Sequence, residues 1–203
     1  LGGMRFDRGW EKPRDELPRE TLDNCRDCVQ RALSAGINHI ETAMGYVKSE
    51  HAYGRVLNQE LRVPRARYYR MTKSAPKTAD DARKNVEQQL AALQTDHLDL
   101  YAWHGLNDAE CLRVACARGG PVEALLRMAE EAPRLRPYMA LAEQLGSFAG
   151  QLTETGLTAV AVEFEGHAAE LNSRPIVAAA LKGLLEPQLE GVNMVNAPAL
   201  AHE

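Results

Sequence analysis

Three short apolar segments alternate with segments of helical spacing, and this alternation restricts the fold more than any other feature of the chain. Between the second apolar segment, which ends at residue 72, and the third, which begins at residue 97, the apolar residues recur at helical intervals, at Val86, Leu90 and Leu93. Each strand–helix pair takes about 30 residues, the length of one unit in an α/β barrel. Strands that alternate with such helices pair in parallel through right-handed crossovers. The strand candidates are residues 37–41, 68–72 and 97–103.

The whole chain has 203 residues, and its first part accounts for about half of an α/β barrel. Leu1 to Met4 resembles the tail of a strand whose beginning is missing. The sequence predicts that Pro133 and Pro137 bracket a junction. The predicted helices begin at residue 18, cover 49–61, begin at Thr78, and cover 122–131, 138–152 and 175–185, with a last start at Asn196. Two further strands are predicted at 157–164 and 192–195.

We therefore expect an α/β fold in which a partial (β/α) barrel, about the first half of a TIM barrel, is followed by a small α+β segment. The predicted domains are residues 1–131 for the half barrel, 132–137 for the junction and 138–203 for the second segment.

The composition argues against two classes of partner. The net charge is −4, without the basic excess that nucleic-acid binding requires. No apolar run approaches the roughly 18 residues that span a bilayer, and no leader for export is present at the start. We expect a cytoplasmic protein that binds neither nucleic acid nor membrane.

The four cysteines are predicted to be reduced thiols. Cys25 and Cys28 form a C-x-x-C pattern, but they lie within a predicted helix on or near its apolar stripe. A redox motif starts a helix after a strand instead. A zinc site would need two further ligands at suitable spacing, and none is evident in the sequence. Core or half-buried thiols are the favoured interpretation, and no metal site is predicted.

Chemically useful side chains follow the three predicted strands. Glu41 and Tyr46 follow the first strand, Lys73 the second and His104 the third. Neighbouring strands lie about 4.8 Å apart, so these side chains can converge at one edge of the sheet. A lysine cation beside a tyrosine stabilises the phenolate, a carboxylate holds the lysine, and an imidazole can hydrogen-bond a substrate oxygen. The set suits protonation of a carbonyl oxygen by general acid catalysis. Taken singly, each residue also fits a structural role as a packed or solvated side chain.

At these residues the chain resembles the aldo-keto reductases. The motifs GINHIETAMGY, YYRMTKSAPK and LQTDHLDLYAWHG carry the resemblance, which covers residues 1 to about 131. It implies an α/β barrel that reduces a small carbonyl substrate with NADPH. The resemblance implies that Tyr46 is the general acid, that Lys73 is its cationic partner and that Glu41 anchors this lysine. It also implies that His104 orients the carbonyl and that Gly2, Gly3 and Met4 form a loop beside the nicotinamide.

Two departures from the family pattern are visible in the first part of the chain. Glu41 stands where the family more often has Asp. The later barrel strands, which in the family hold most of the cofactor, have no counterpart in the sequence.

Residues 136–203 resemble a different family. The motifs RPYMALAEQLGSFAGQL, AVEFEGHAAELNSRPIVAAALKGLLEP and VNMVNAPALAHE are similar to the regulatory segment of D-3-phosphoglycerate dehydrogenase, its allosteric substrate-binding domain. The resemblance implies an effector-sensing or assembly module without catalysis of its own. Arg174 and Lys182 could contact an anionic effector, although solvated helix positions explain them equally simply.

Three hypotheses for function remain open from the sequence. The first is an NADPH-dependent oxidoreductase of the aldo-keto reductase type. The second is a non-catalytic effector-binding or homo-oligomerisation module related to the dehydrogenase of serine biosynthesis. The third is a chimeric chain, a fusion with no evolved joint function.

Overall fold

A computed structural model describes residues 1–6, 13–153, 157–194 and 196–201. The chain divides into two compact units, Leu1–Leu125 and Leu126–Glu203. No helix within the described residues is both long enough and apolar enough to cross a membrane.

The helices of the described structure are numbered in chain order. They are α1 Arg19–Ser34, α2 Ser49–Arg55, α3 Ala79–Leu93, α4 Ala109–Ala115, α5 Pro121–Leu152, α6 Ser173–Leu185 and α7 Ala197–Leu200. Single helical turns also form, a π-type turn at Val56–Glu60 and 3-10 turns at Met44–Tyr46, Arg65–Arg67 and Gly166–Glu170.

The first unit contains a three-stranded parallel sheet in the order β1–β2–β3. The strands are β1 His39–Glu41, β2 Tyr69–Ser74 and β3 Leu100–Trp103. Gly2 forms an isolated parallel bridge with Glu41, so the first residues lie beside β1 in an extended, strand-like pairing. Parallel strands joined by helices are the architecture expected of a partial barrel, and the predicted fold class is confirmed.

Side-chain alternation gives the sheet two different faces. Residues paired in register share a face, and Glu41 pairs with Met71 while Lys73 pairs with Ala102. We call the face that carries these four residues the inner face. The opposite face carries Ile40 and is buried against helices.

The core of the first unit forms between α1, α2 and the helix-facing side of the sheet. Cys25 and Val29 of α1 are fully buried there, as are Tyr53 and Leu57. Burial of such side chains contributes about 1.5–3 kcal/mol each. Cys25 and Cys28 are free thiols, one buried and one half-buried, as predicted, and burial raises the pKa of Cys25. Cys116 is exposed, so the expectation of buried thiols does not extend to it.

Two glycines explain local features of this unit. Gly36 follows α1 with φ +80°, a left-handed conformation that ends the helix at little steric cost. Gly54 lies where α2 crosses α3, and a Cβ there would stand 2.2 Å from the carbonyl oxygen of Ala92. The two helices therefore approach each other more closely than any residue with a side chain at position 54 would allow.

Arg70 joins β2 to the end of α3 inside the protein. Its side chain is fully buried. It donates from Nη1 to the Leu93 carbonyl at 2.7 Å and from Nη2 to the Tyr68 hydroxyl. Burial lowers the pKa of Arg70 to about 10, still far above neutrality. A cation at a helix C-terminus is favourable because it meets the negative end of the helix dipole.

The predicted helical break at 132–137 does not form. Residues on both sides of Pro137 belong to one helix, α5, which also contains Pro133. A proline inside a helix costs about 3 kcal/mol. Leu135 and Ala142, one on either side of Pro137, are buried in a cluster with Ile176 of α6. This burial on both sides offsets the lost hydrogen bond and keeps the helix continuous.

The two strands predicted in the second unit are not found among its described residues. Residues 157–164 form no ladder, because strand period alone does not supply a partner strand. Residues 192 and 193 have no regular structure, and Met194 lies in a turn. The Asn193 and Asn196 side chains each accept from the other residue's backbone N–H, at 3.1 and 2.7 Å. Local bonds of this kind compete with strand pairing. Val195 lies outside the described residues.

We predict that Gly54→Ala destabilises the protein. Alanine favours a helix over glycine by about 1 kcal/mol, but its Cβ would overlap the Ala92 carbonyl, and overpacking of this kind costs about 1–3 kcal/mol. Chemical denaturation should show a net loss of about 1–2 kcal/mol. Arg55→Ala, at the exposed next position, should change stability by under about 0.5 kcal/mol. A Gly54→Ala variant as stable as the parent would contradict the close crossing.

Candidate functional site

Two oppositely charged residues meet at the carboxyl end of the sheet. Glu41 ends β1, and Lys73 is the fifth residue of β2. Both side chains lie on the inner face, because Glu41 pairs in register with Met71, two residues before Lys73. The Lys73 ammonium forms an ion pair with Oε1 of Glu41. The lysine side chain is only 13% exposed, so the pair is mostly shielded from solvent.

Tyr46 and His104 complete the cluster. The Lys73 Nζ atom lies 4.8 Å from the centroid of the Tyr46 ring, within range of a cation–π contact. The Tyr46 and His104 rings meet edge to face, with centroids 5.4 Å apart. The absence of a side chain at Gly45 makes room for this contact, since a Cβ there would lie 3.2 Å from Cε1 of His104. All four predicted residues therefore belong to one cluster.

The segment after Tyr46 is held in an unusual conformation. Val47 has φ +47°, which is rare for a β-branched residue and costs about 1–3 kcal/mol. The next residue, Lys48, is buried and donates to the carbonyls of Pro13 and Glu16 at 2.8 and 2.6 Å. We infer that these two hydrogen bonds of Lys48 maintain the strained backbone that follows Tyr46.

Burial affects the protonation of two members of the cluster. Desolvation lowers the pKa of Lys73, whereas its ion pair with Glu41 favours the charged form. Burial, and secondly repulsion from Lys73, lowers the pKa of His104. At neutral pH the His104 ring is therefore an uncharged imidazole, able to donate one hydrogen bond and accept another.

The first residues of the chain lie beside Glu41. The Glu41 N–H donates to the Leu1 carbonyl at 2.9 Å, and the Gly3 N–H donates to the Glu41 carbonyl at 3.0 Å. A Cβ at Gly2 would stand 3.3 Å from Oε2 of Glu41, so glycine keeps this side of the site open. Met4, the next predicted site residue, is partly exposed.

Sequence reasoning missed a buried polar cluster directly behind the site. Thr72, beside Lys73, donates to Oε1 of Glu50 at 2.6 Å. Gln89 donates to the same oxygen at 2.8 Å and to the Lys73 carbonyl at 3.1 Å. All three side chains in this cluster are buried. One signal in the sequence could have found this cluster. Gln89 is a polar residue close to the apolar helical positions Val86 and Leu90, and a polar side chain that is buried there requires a hydrogen-bond partner.

Comparison with known proteins agrees with the geometry of the first unit. The sequence profile described as the aldo/keto reductase family matches residues 1–117. A crystal structure of a protein from Pseudomonas aeruginosa, described as an aldo-keto reductase, superposes with a TM-score of 0.51 at 27% identity, covering 65% of this chain and 51% of the other. The chain belongs to the aldo/keto reductase family.

A curated relative of the first unit is the NAD/NADP-dependent indole-3-acetaldehyde reductase of Schizosaccharomyces pombe. It is 32% identical over 95 residues, which cover 47% of this chain and 31% of the yeast protein. The chain therefore spans about half of the matching crystal structure and a third of this curated relative.

The second unit matches a different family profile, the D-3-phosphoglycerate dehydrogenase intervening domain, at residues 134–203. The D-3-phosphoglycerate dehydrogenase of Synechocystis is 49% identical over 72 residues, which cover 34% of this chain and 13% of the relative. Both resemblances predicted from the sequence are confirmed. The boundaries of the predicted junction at 132–137 remain a prediction.

Lys182, predicted as a possible anion contact in the second unit, is engaged within the protein. Its ammonium pairs with Glu143 of α5, and Glu186 lies 3.8 Å away. Arg174 is exposed near the start of α6, and its anion role remains a prediction.

We predict that Glu50→Gln makes stability less dependent on pH. Burial raises the pKa of Glu50 above its ordinary value of 4.5, although the bonds from Thr72 and Gln89 and the charge of Arg14 oppose the shift. A raised carboxyl pKa gives stability that is present below about pH 4.5 and lost as the pH rises through the folded-state pKa. The amide oxygen of Gln can still accept both bonds.

Denaturation curves of both proteins from pH 4 upward test this linkage. The stability of Glu50→Gln relative to the parent should rise with pH above about 4.5 and then level off. Glu87→Gln, at an exposed position of α3, serves as the control for loss of one negative charge. A constant difference between the Glu50 variant and the parent would show that this carboxyl titrates normally.

Proposed function

We propose that the first unit reduces a small aldehyde or ketone with a nicotinamide cofactor, and that NADPH is the preferred form. The observation that carries the proposal is the Glu41–Lys73 ion pair, with the lysine ammonium 4.8 Å from the Tyr46 ring centroid. Membership of the aldo/keto reductase family supports the same chemistry.

In this proposal Tyr46 protonates the carbonyl oxygen. The bound cofactor would supply a hydride to the carbonyl carbon, so that the carbonyl becomes an alcohol and the nicotinamide is oxidised. The Lys73 ammonium stabilises the negative charge that develops on the phenol oxygen as its proton leaves. Glu41 holds the ammonium in place, and the neutral His104 ring donates a hydrogen bond to the substrate oxygen.

The residues around Glu41 fit the nicotinamide end of the cofactor. Gly2 leaves the side of the site next to Glu41 free of a side chain, since a Cβ there would stand 3.3 Å from Oε2 of Glu41. Gly3 lets the chain pass close to Ser49 and Tyr53, which a Cβ at that position would overlap. A flat ring can approach such a surface closely. Gly2, Gly3 and Met4 would therefore border the ring, while the chain's own polar groups at the strand ends face the substrate carbonyl.

We predict that Tyr46→Phe abolishes most of the reductase activity without preventing cofactor binding. Loss of a general acid lowers kcat/KM by about 10²–10⁴-fold. NADPH fluorescence titration measures binding, and NADPH consumption with a panel of aldehydes and ketones measures turnover. Repeating both measurements with NADH tests the preference for NADPH.

Tyr69→Phe is the matched control, because Tyr69 is an exposed tyrosine at the opposite end of β2. Its activity should remain close to that of the parent protein. Absence of NADPH binding by the parent, or unchanged activity of Tyr46→Phe, would overturn the proposal.

A second candidate function, self-association, is favoured by an apolar stripe in the second unit. Leu141, Leu145, Phe148 and Leu152 are each more than half exposed on α5. Their spacing of four, three and four residues places them on one face, as in the seam of a coiled coil. The opposite face packs against α6, where Gly146 and Gly150 allow direct contact between the backbones.

We propose that a second copy of the chain covers this stripe. Gln144 and Ala149, which flank it, carry no charge, so two copies can meet without like-charge repulsion. Contiguous exposed apolar surface of this kind marks interaction sites in soluble proteins.

We predict that Leu145→Glu shifts the protein from dimer to monomer in light scattering coupled to size exclusion. A buried, unpaired carboxylate in the seam opposes association. Ala140→Glu adds the same charge at an exposed position away from the stripe and should leave the dimer intact. A parent protein that is monomeric at all concentrations would contradict the self-association.

A further inference from the structure

A buried side-chain amide, that of Gln89, contacts the end of β2 on the face of the sheet that packs against the helices. Gln89 of α3 is fully buried. Its Nε2 atom lies 3.1 Å from the Lys73 carbonyl, 2.9 Å from Oγ1 of Thr72 and 2.8 Å from Oε1 of Glu50. Its Oε1 atom accepts from the Tyr101 hydroxyl at 2.7 Å. One side chain therefore joins α2, α3, β2 and β3 at the level of the site lysine.

The start of α2 holds both strands that carry the ion pair. Ser49 hydrogen-bonds Thr42, the residue after Glu41, at 2.7 Å between their hydroxyl oxygens. Glu50, the next residue, accepts from Thr72, the residue before Lys73. Two successive helix residues thus fix the two strand ends relative to each other.

The same cluster reaches the third strand. Oγ of Ser74 lies 2.5 Å from the Tyr101 hydroxyl, and the Ser74 carbonyl accepts from the His104 N–H at 2.9 Å. Tyr101 in turn binds Gln89. Hydrogen bonds of these residues therefore reach the Thr42 side chain next to Glu41, the Lys73 carbonyl and the His104 N–H, at three of the four predicted catalytic residues.

We propose that Gln89, together with Glu50 and Thr72, is a positioning residue that holds the Lys73 ammonium against Glu41 and the Tyr46 ring. It contacts neither substrate nor cofactor, and it acts by fixing the backbone that carries Lys73. The consequence for catalysis depends on the proposed reductase function, whereas the effect on Lys73 does not.

Buried polar networks with all partners satisfied rigidify the elements that they join. Rigidity matters at this position, because a displacement of about 1 Å at a reacting group can cost about 10²-fold in rate. A looser strand end would also admit water to Lys73. The charged and titratable groups that face its ammonium in the described structure are Glu41 from β1, Tyr46 from the turn after it and His104 after β3.

Gln89→Met tests the proposal, because methionine keeps the length of the side chain and removes its hydrogen bonds. Reductive methylation with carbon-13 makes each of the six lysines visible by NMR, and Lys73→Arg identifies the signal of Lys73. Burial keeps the pKa of Lys73 below the ordinary value of 10.5 in the parent. In Gln89→Met we expect the titration of Lys73 to shift from that of the parent, because a displaced ammonium loses part of its ion pair with Glu41 and gains access to water.

Asn58→Leu provides the matched control. Asn58, in the π-type turn after α2, also links α2 to α3, because it donates to the carbonyls of Gly54 and Leu93 at 2.7 and 3.1 Å. Both of these carbonyls lie outside the polar cluster of Gln89, Glu50 and Thr72. The Asn58→Leu variant should have a lower melting temperature than the parent, while the titration of its Lys73 should be unchanged. If Gln89→Met likewise lowers only the melting temperature and Lys73 titrates as in the parent, the role of Gln89 is merely structural and the proposal is wrong.

Thr72→Val is a milder second variant, since valine keeps the β-branched shape in the strand and removes one hydroxyl. It should move the Lys73 titration in the same direction by a smaller amount; an unchanged titration in this variant also counts against the proposal. If the parent reduces carbonyls, Gln89→Met should lower kcat by about tenfold or more at unchanged KM for NADPH. A parent that lacks activity overturns the proposed function alone, because the titration requires no turnover.

Discussion

The alternation of side chains along β2 is the constraint on which the first unit depends. Thr72 and Ser74 point to the helices and are buried, while Lys73 between them points to the inner face. A shift of one residue in register would exchange these environments. It would place an ammonium among buried helices and two hydroxyls at the open end of the sheet. The site and the polar cluster behind it are therefore two faces of the same strand.

The polar cluster behind the site shows how buried polar groups can stabilise a particular arrangement of helices and strands. Glu50 and Gln89 would each destabilise an apolar interior, because a buried polar group without a hydrogen-bond partner lowers the free energy of unfolding by about 1–3 kcal/mol. Each finds hydrogen-bond partners on a neighbouring element instead. The requirement for satisfaction ties α2, α3 and β2 together in one arrangement, which apolar contacts alone would specify less sharply.

The two units differ in how their helices are used. In the first, helices cover one face of the sheet, and the inner face keeps exposed apolar residues such as Tyr69 and Leu100. A complete barrel would close around that face. In the second, α5 and α6 meet through glycines, at Gly146, Gly150 and Gly183. The close backbone contact on one side of α5 leaves the opposite apolar side available for association.

Much of the first unit could be predicted from the sequence, because the deciding signals are local. Apolar periodicity located all three strands, and Thr78 begins α3 with a capping box as its residue type suggests. Polar residues immediately after strands identified Glu41, Lys73 and His104, since parallel strands end at a common edge. The helical break expected at Pro133 and Pro137 was wrong, because the stabilising burial comes from α6, about 40 residues further along the chain.

For the first unit, the sequence by itself determined the three strands and the helices between them, the alternation of side chains along each strand and the residue types gathered at the strand ends. These follow from chain periodicity and from covalent alternation of side chains. Only the tertiary structure decided that Gln89 meets Glu50, 39 residues away, that Lys182 is engaged by Glu143 and that α5 passes through two prolines unbroken. Those outcomes depend on contacts between distant segments, and no local pattern encodes which distant partner a buried polar group will find.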